Sequence, residues 1–318
     1  MSGDLERAVR AVIHDCLGVR QGEEVLVVCN PTTEGLGERL RAEAAGAGAD
    51  AVLAVIAERA SHAAEPPAPV AAAMAVADVV LAPTVQSLSH TAARKAASEA
   101  GARIATLPGV TEEMLARVMS ADMAALRRKG RAVAASLGTG SEARITCPRG
   151  SDLRLGLRGR TAIPDAGELT APGAFGNLPC GEGFIAPLEG TSEGALVVDG
   201  SIAGIGRVSA PVALTVERGH LVEASGPEGR RLLELLGEHG EDGTNVAELG
   251  IGTNEKAILT GEVLEDEKIL GTAHVAFGAS AAIGGEVQVP VHLDCVVLEP
   301  TVSVDGTDLL RAGQLLIG

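Results

Sequence analysis

Over the first third of the chain, short unbroken apolar runs alternate with stretches of helical periodicity, and few folds accommodate that order. Val25-Leu26-Val27-Val28-Cys29 contains no polar residue, the pattern of a parallel strand covered on both faces. Runs at Ala51 to Ile56 and Val79 to Leu81 repeat it, and Arg103 to Thr106 reads as a further strand. Ahead of the first run, Leu5, Val9, Val12, Ile13, Cys16 and Leu17 fall at the spacing of one buried helical face, with Gly18 as a stop. Helical stretches also fill Leu36 to Ala45, the residues before Ala77, and those from Thr91 onward. Strand and helix in alternation predict an α/β, doubly wound, Rossmann-like domain. Helical patterns at Glu112 to Met119 and Met123 to Ala135 close this half.

Beyond Gly138 the texture changes. Strand-like runs predominate, glycines are frequent, and only Glu228 to Leu236 reads clearly as helix. The organisation expected is therefore a Rossmann-like domain over residues 1–138 and a β-rich α+β metal-binding domain over 139–318. No nucleotide cofactor is indicated. The first strand runs into Cys29-Asn30-Pro31-Thr32-Thr33-Glu34-Gly35 rather than a Gly-x-Gly-x-x-Gly turn, and a Walker-type loop is absent. A Rossmann-like layout without its phosphate loop leaves function to be argued from the second half.

There, Thr272-Ala273-His274-Val275-Ala276-Phe277-Gly278 and Val291-His292-Leu293-Asp294-Cys295 both read as strands that carry metal-type ligands. Side chains alternate along a strand, so His292 and Asp294 share a face while Leu293 and Cys295 point the other way into apolar packing. If the His274 strand is a neighbour, two imidazoles and a carboxylate converge, a set suited to Zn, Co, Mn or Fe(II). Two upstream carboxylates join the candidates. Glu182 stands between Gly181 and Gly183, on backbone able to bend close to an ion. Glu248 stands where a short apolar strand gives way to Gly250-Ile251-Gly252. Each glutamate taken singly also reads as a solvated loop residue, since Glu is mostly exposed. In the first half, His90 follows the strand ending at Leu81, near the carboxyl ends where open α/β sheets bind ligands. It is a candidate proton donor or acceptor, or a surface residue at the start of a helix.

Composition excludes several classes. A formal charge of −16 over 318 residues argues against a nucleic-acid partner, which needs clustered Lys and Arg. Five cysteines with no Cys-x-x-Cys pair read as reduced thiols in a cytoplasmic protein. The acidic start Met1-Ser2-Gly3-Asp4-Leu5-Glu6 does not resemble a signal peptide, and no apolar run approaches a membrane span. With three Phe and no Trp or Tyr, Ala, Val, Leu and Ile must fill the interior.

Taken together, Asn177 to Pro187, Glu248 to Asn254, His274 to Gly278 and His292 to Asp294 resemble the metallo-aminopeptidase family of the aminopeptidase T and aminopeptidase S type. The resemblance implies a hydrolase acting on the first peptide bond of unblocked short peptides, with Glu182, Glu248, His274, His292 and Asp294 at a dinuclear Zn or Co site. Glu182 would move the proton there, and the protein would be a homodimer. The chain departs from that family in having no tyrosine after the first ligand histidine, where it reads Phe277-Gly278-Ala279-Ser280. The alternative expectation is an Fe(II)-dependent ring-opening dioxygenase of the dihydroxypyridine type, which is similar in this region and would use His274, His292 and Asp294, with His90 as a base. A third is a non-catalytic metal-stabilised or small-molecule-binding protein.

Overall fold

A computed structural model describes residues 2–318. The fold is α/β, with an N-terminal parallel sheet followed by β-rich α+β structure, and the chain clusters into two compact units. The first comprises residues 1–121 together with 167–180, and the second residues 122–166 and 181–318.

In the first unit five parallel strands lie in the order β2 (Asp50–Val55), β1 (Glu24–Cys29), β3 (Val79–Ala82), β4 (Arg103–Thr106) and β8 (Phe175–Asn177). Burial follows position in this order. The central strands β3 and β4 are buried at every residue, Arg103 and Thr106 of β4 included, whereas edge strand β2 leaves Val52 and Val55 exposed. The helices are α1 (Ser2–Arg10, continued by a π-helical turn, Ala11–Cys16), α2 (Glu34–Gly46), α3 (Ala68–Met74), α4 (Ala92–Glu99) and α5 (Glu112–Val118). Thr91 starts α4 as its N-cap. Its Oγ1 accepts from Arg94 N at 3.1 Å and donates to Leu88 O at 2.8 Å. Leu26, Val28, Val80, Ala82 and Ile104 pack with Met74, Leu88 and Ala97 in a core made without large aromatics.

The second unit opens with α6 (Met123–Thr139). The change of texture near residue 138 thus lies at the C-terminal end of this helix. Two antiparallel sheets follow. One has the order β14 (His220–Ala224), β13 (Val212–Glu217), β10 (Glu193–Val198), β6 (Asp152–Gly156), β5 (Glu142–Thr146), β18 (Thr301–Val304), β19 (Thr307–Arg311), β20 (Gln314–Leu315). The other runs β12 (Gly206–Arg207), β11 (Ser201–Ile202), β17 (His292–Val297), β16 (Ala273–Gly278), β15 (Val246–Gly252), β9 (Glu182–Ile185), β7 (Ile163–Asp165). The helices α7 (Gly226–Gly237), α8 (Gly240–Gly243) and α9 (Val263–Asp266) complete the unit.

Between the sheets, Ile145, Leu153, Leu196 and Leu214 meet Ile185, Leu249, Val275, Phe277 and Cys295 in one apolar cluster. Period-two alternation then decides what the opposite face of the second sheet can carry. With Leu249, Ile251, Val275, Phe277, Cys295 and Val297 in the core, the intervening residues Glu248, Gly250, His274, Ala276, His292 and Asp294 share the other face.

Candidate metal centre

Four adjacent strands supply the centre. Register pairs Gly252 with Glu182, Gly250 with His274, Glu248 with Ala276, Ala276 with Asp294 and Gly278 with His292. Ala276, small and fully buried, separates Glu248 from Asp294 in one cross-strand row. Gly250 does the same service for His274. A Cβ at Gly250 would lie 2.1 Å from His274 Nε2, so the imidazole occupies space that only glycine leaves open. On β9, Gly183 lets α6 approach, because a Cβ there would meet Val133 at 2.7 Å. That contact seats the strand that begins with Glu182.

His274 Nε2 lies 3.1 Å from Glu182 Oε2 and 3.3 Å from Glu248 Oε1. His292 Nε2 lies 3.4 Å from Glu248 Oε2 and 3.6 Å from Asp294 Oδ1. Glu248 thus spans the two imidazoles. Both glutamates are buried, at 4% and 6% exposure, so neither is a solvated loop residue; Glu182 heads a strand, and the Gly250 to Gly252 stretch continues β15 instead of forming a turn. His292 and Asp294 are the more open members, with side chains 18% and 14% exposed. His292 Nδ1 donates to Ala279 O at 2.7 Å, which turns Nε2 toward the carboxylates.

Three groups bring three donor atoms within 4.8 Å of one another: Glu182, Glu248 and His274; Glu248, His292 and Asp294; Glu267, His274 and Asp294. The five predicted ligands therefore assemble. His90 is not in any of these groups; it is exposed, in the first unit, just before α4. Three members escaped the sequence reading: Asp165 on β7, and Glu267 and Lys268 in the turn after α9. Lys268, fully buried, sits with Nζ against Glu182 Oε1, 2.5 Å from Glu267 Oε1 and 3.5 Å from Asp165 Oδ2. In sequence Glu265-Asp266-Glu267-Lys268 looks like a solvated charge run, yet all four residues are buried, and nothing local signals it.

Electrostatics follow from burial and crowding. Burial would lower both histidine pKa values, but Glu182 and Glu248 around His274, and Asp294 and Glu248 around His292, outweigh it and hold both rings well above their ordinary value. For Asp294 burial is overcome by His292, keeping the carboxyl far below the usual range. Lys268 likewise outweighs burial at Glu182, which is lowered, but not at its other neighbours: burial pushes Asp165 up to about 7 and Glu267 up to about 8. Glu182 is thus the principal ionic partner of the ammonium, whose own pKa is raised against burial by Glu182, Glu267 and Asp165.

The donors fit a first-row dication. Glu182 Oε2 is buried and makes no hydrogen bond although an imidazole nitrogen lies 3.1 Å away, an acceptor aimed into the cluster and left unsatisfied there. Nitrogen and carboxylate donors together suit Fe(II).

A parallel-sheet unit and an antiparallel unit carrying a buried imidazole and carboxylate centre define a two-unit α/β protein with a metal-type site. The chain belongs to the NicX family, described as 2,5-dihydroxypyridine 5,6-dioxygenase, which it matches over residues 4–317. It is similar in structure to the 2,5-dihydroxypyridine dioxygenase from Pseudomonas putida KT2440, with a TM-score of 0.87 at 18% identity, covering 99% of this chain and 98% of that one. It is also similar to wild-type AmpT from Thermus thermophilus, with a TM-score of 0.74 at 22% identity over 99% of this chain and 100% of that one. At these identities the two likenesses show the fold alone. No curated protein matches the sequence.

The family match overturns the aminopeptidase T and S assignment, and with it the expected hydrolase, metallo-aminopeptidase activity and Zn or Co cofactor. The physical source of the error is the surplus of carboxylates. Glu182 and Glu248 suggested a second ion, but Glu182 already faces an internal ammonium. The description of the family points to a small aromatic substrate. No helix among the described residues is long and apolar enough to cross a membrane.

Proposed function

We propose that the protein is an Fe(II)-dependent dioxygenase that opens the ring of a dihydroxypyridine. The family match over residues 4–317 carries this reading, and the convergence of His274, His292 and Asp294 on one sheet face supports it. These three residues would hold the iron, with Glu248 between the imidazoles. An Fe(II) ion in a two-imidazole, one-carboxylate set supplies open positions for substrate and O₂ and the one-electron chemistry that lets oxygen react with a closed-shell ring.

The protein's own groups do the rest. The Nδ1 hydrogen bond to Ala279 O fixes the His292 ring. Glu248, buried and shared by both imidazoles, keeps them oriented. Glu182 is a candidate proton acceptor whose second oxygen is anchored by Lys268, and His90 is proposed as a further base. Balanced for cleavage between ring atoms 5 and 6, one O₂ is consumed per ring and both its atoms enter the product. The reduced state of the cysteines, none of which forms a disulfide, supports a cytoplasmic protein. A homodimer belongs to the same proposal, and sedimentation tests it.

The test is oxygen uptake with 2,5-dihydroxypyridine after chelation and anaerobic reconstitution. One O₂ per ring, abolished by chelation and restored by Fe(II), is expected. Absence of uptake from a protein shown to hold iron would remove the dioxygenase reading. His90→Ala should lower turnover while leaving iron content unchanged.

A further inference from the structure

Lys268 is among the largest fully buried side chains of the described residues and is the only buried lysine among them. Its ammonium is ringed by carboxylates from three separate elements: Asp165 from β7, Glu182 from β9, and Glu267 from the turn beside it. Two of these look both ways. Glu182 presents Oε1 to Lys268 and Oε2 to His274 Nε2, 3.1 Å away. Glu267 contacts Lys268 at 2.5 Å and also forms a donor group with His274 and Asp294. A carboxylate with one oxygen toward each of two cations is the bridging arrangement of a two-metal site.

We infer that Lys268 takes the place of a second metal ion, so that each chain accepts a single divalent cation and Lys268 positions Glu182 and Glu267 toward it. The chemistry is that of a charge substitution. The buried carboxylates need a positive partner. A fixed ammonium supplies one without coordination sites of its own. Lys268 is a positioning residue: its nitrogen faces the carboxylates of Asp165, Glu182 and Glu267. The inference rests on the metal centre of the proposed function but not on the identity of the organic substrate.

Manganese(II) is the probe, titrated into chelated full-length protein and read by elemental analysis after desalting and by electron paramagnetic resonance. Wild type should hold one ion per chain with the signal of an isolated ion. Lys268→Gln, with a wild-type circular dichroism spectrum, should take up two ions whose signals are coupled through the shared carboxylates. Lys268→Arg should restore a single ion. Two coupled ions in wild type would overturn the inference while leaving the metal centre intact, as would a folded Lys268→Gln protein that still stops at one. No bound ion in wild type would overturn the metal centre and the inference with it. If Lys268→Gln does not fold, Lys268→Gln combined with Asp165→Asn removes one uncompensated carboxylate, and the same count decides.

Discussion

Gly250→Ala adds one methyl group to a buried strand and should disable the metal centre from the side. The new Cβ would stand 2.1 Å from His274 Nε2, 2.2 Å from Cε1 and 3.0 Å from Cδ2, where 3.4 Å is the near edge of ordinary contact. The ring must therefore retreat by about 1.3 Å, the difference between 3.4 and 2.1 Å. Metal-ligand distances tolerate about 0.2 Å, so His274 cannot remain a ligand. Disturbing an outer partner alone costs about 10- to 100-fold in metal affinity. A displaced ligand should reach at least the upper figure, about 2.7 kcal/mol at 1.36 kcal/mol per decade. Overpacking a fully buried site adds about 1–3 kcal/mol of destabilisation in the metal-free protein. Anaerobic Fe(II) titration by calorimetry reads the first quantity and chemical denaturation the second. Gly237→Ala, at a helix end where a Cβ meets nothing within 4 Å, is the control and should leave both unchanged or slightly improved. Wild-type iron affinity in Gly250→Ala would refute the placement of the His274 ring over Gly250, and with it the argument that glycine is required there.

Three further outcomes are expected. His292→Ala and Asp294→Ala should each lower iron occupancy by an order of magnitude or more while leaving the thermal transition of the metal-free protein near wild type, because both side chains sit at the more open edge of the centre; full occupancy in both, measured by elemental analysis, would place the ion elsewhere. Thr91→Ala should cost about 1 kcal/mol in urea denaturation by removing the α4 cap, with no change in iron content. A thiol reagent at pH 8 should label Cys147 alone in the folded protein: the other four cysteines are buried, and burial pushes the Cys29 thiol up to about 11, leaving about one part in a thousand as thiolate. Rapid labelling of more than one thiol before unfolding would contradict the buried positions.

Part of the site was legible because strand periodicity is local. Two residues apart on one strand, His292 and Asp294 had to share a face, and the apolar character of Leu293 and Cys295 said which face was the core; Cys295 is indeed fully buried there. Glu182 and Glu248 were legible as candidates through the glycines near them and through resemblance, but their burial was not. Neither was the chemistry. A dinuclear hydrolase and a mononuclear oxygenase can draw on the same His274, His292 and Asp294.

By itself the sequence determined the succession of elements: apolar runs that read as strands of a parallel sheet, helical faces between them, and alternating strands in the second half, each with its polar residues on one face. These are properties of neighbours in the chain, set by backbone geometry and side-chain type. Tertiary structure decided who meets whom. The placement of β16 between β15 and β17 brings His274 to Asp294 and Glu248, and a contact across 86 residues of chain sets Lys268 against Glu182. No local pattern encodes such a contact, because a buried ammonium and a solvated one carry the same letter and only the carboxylates folded around it, with water excluded, make it part of the site.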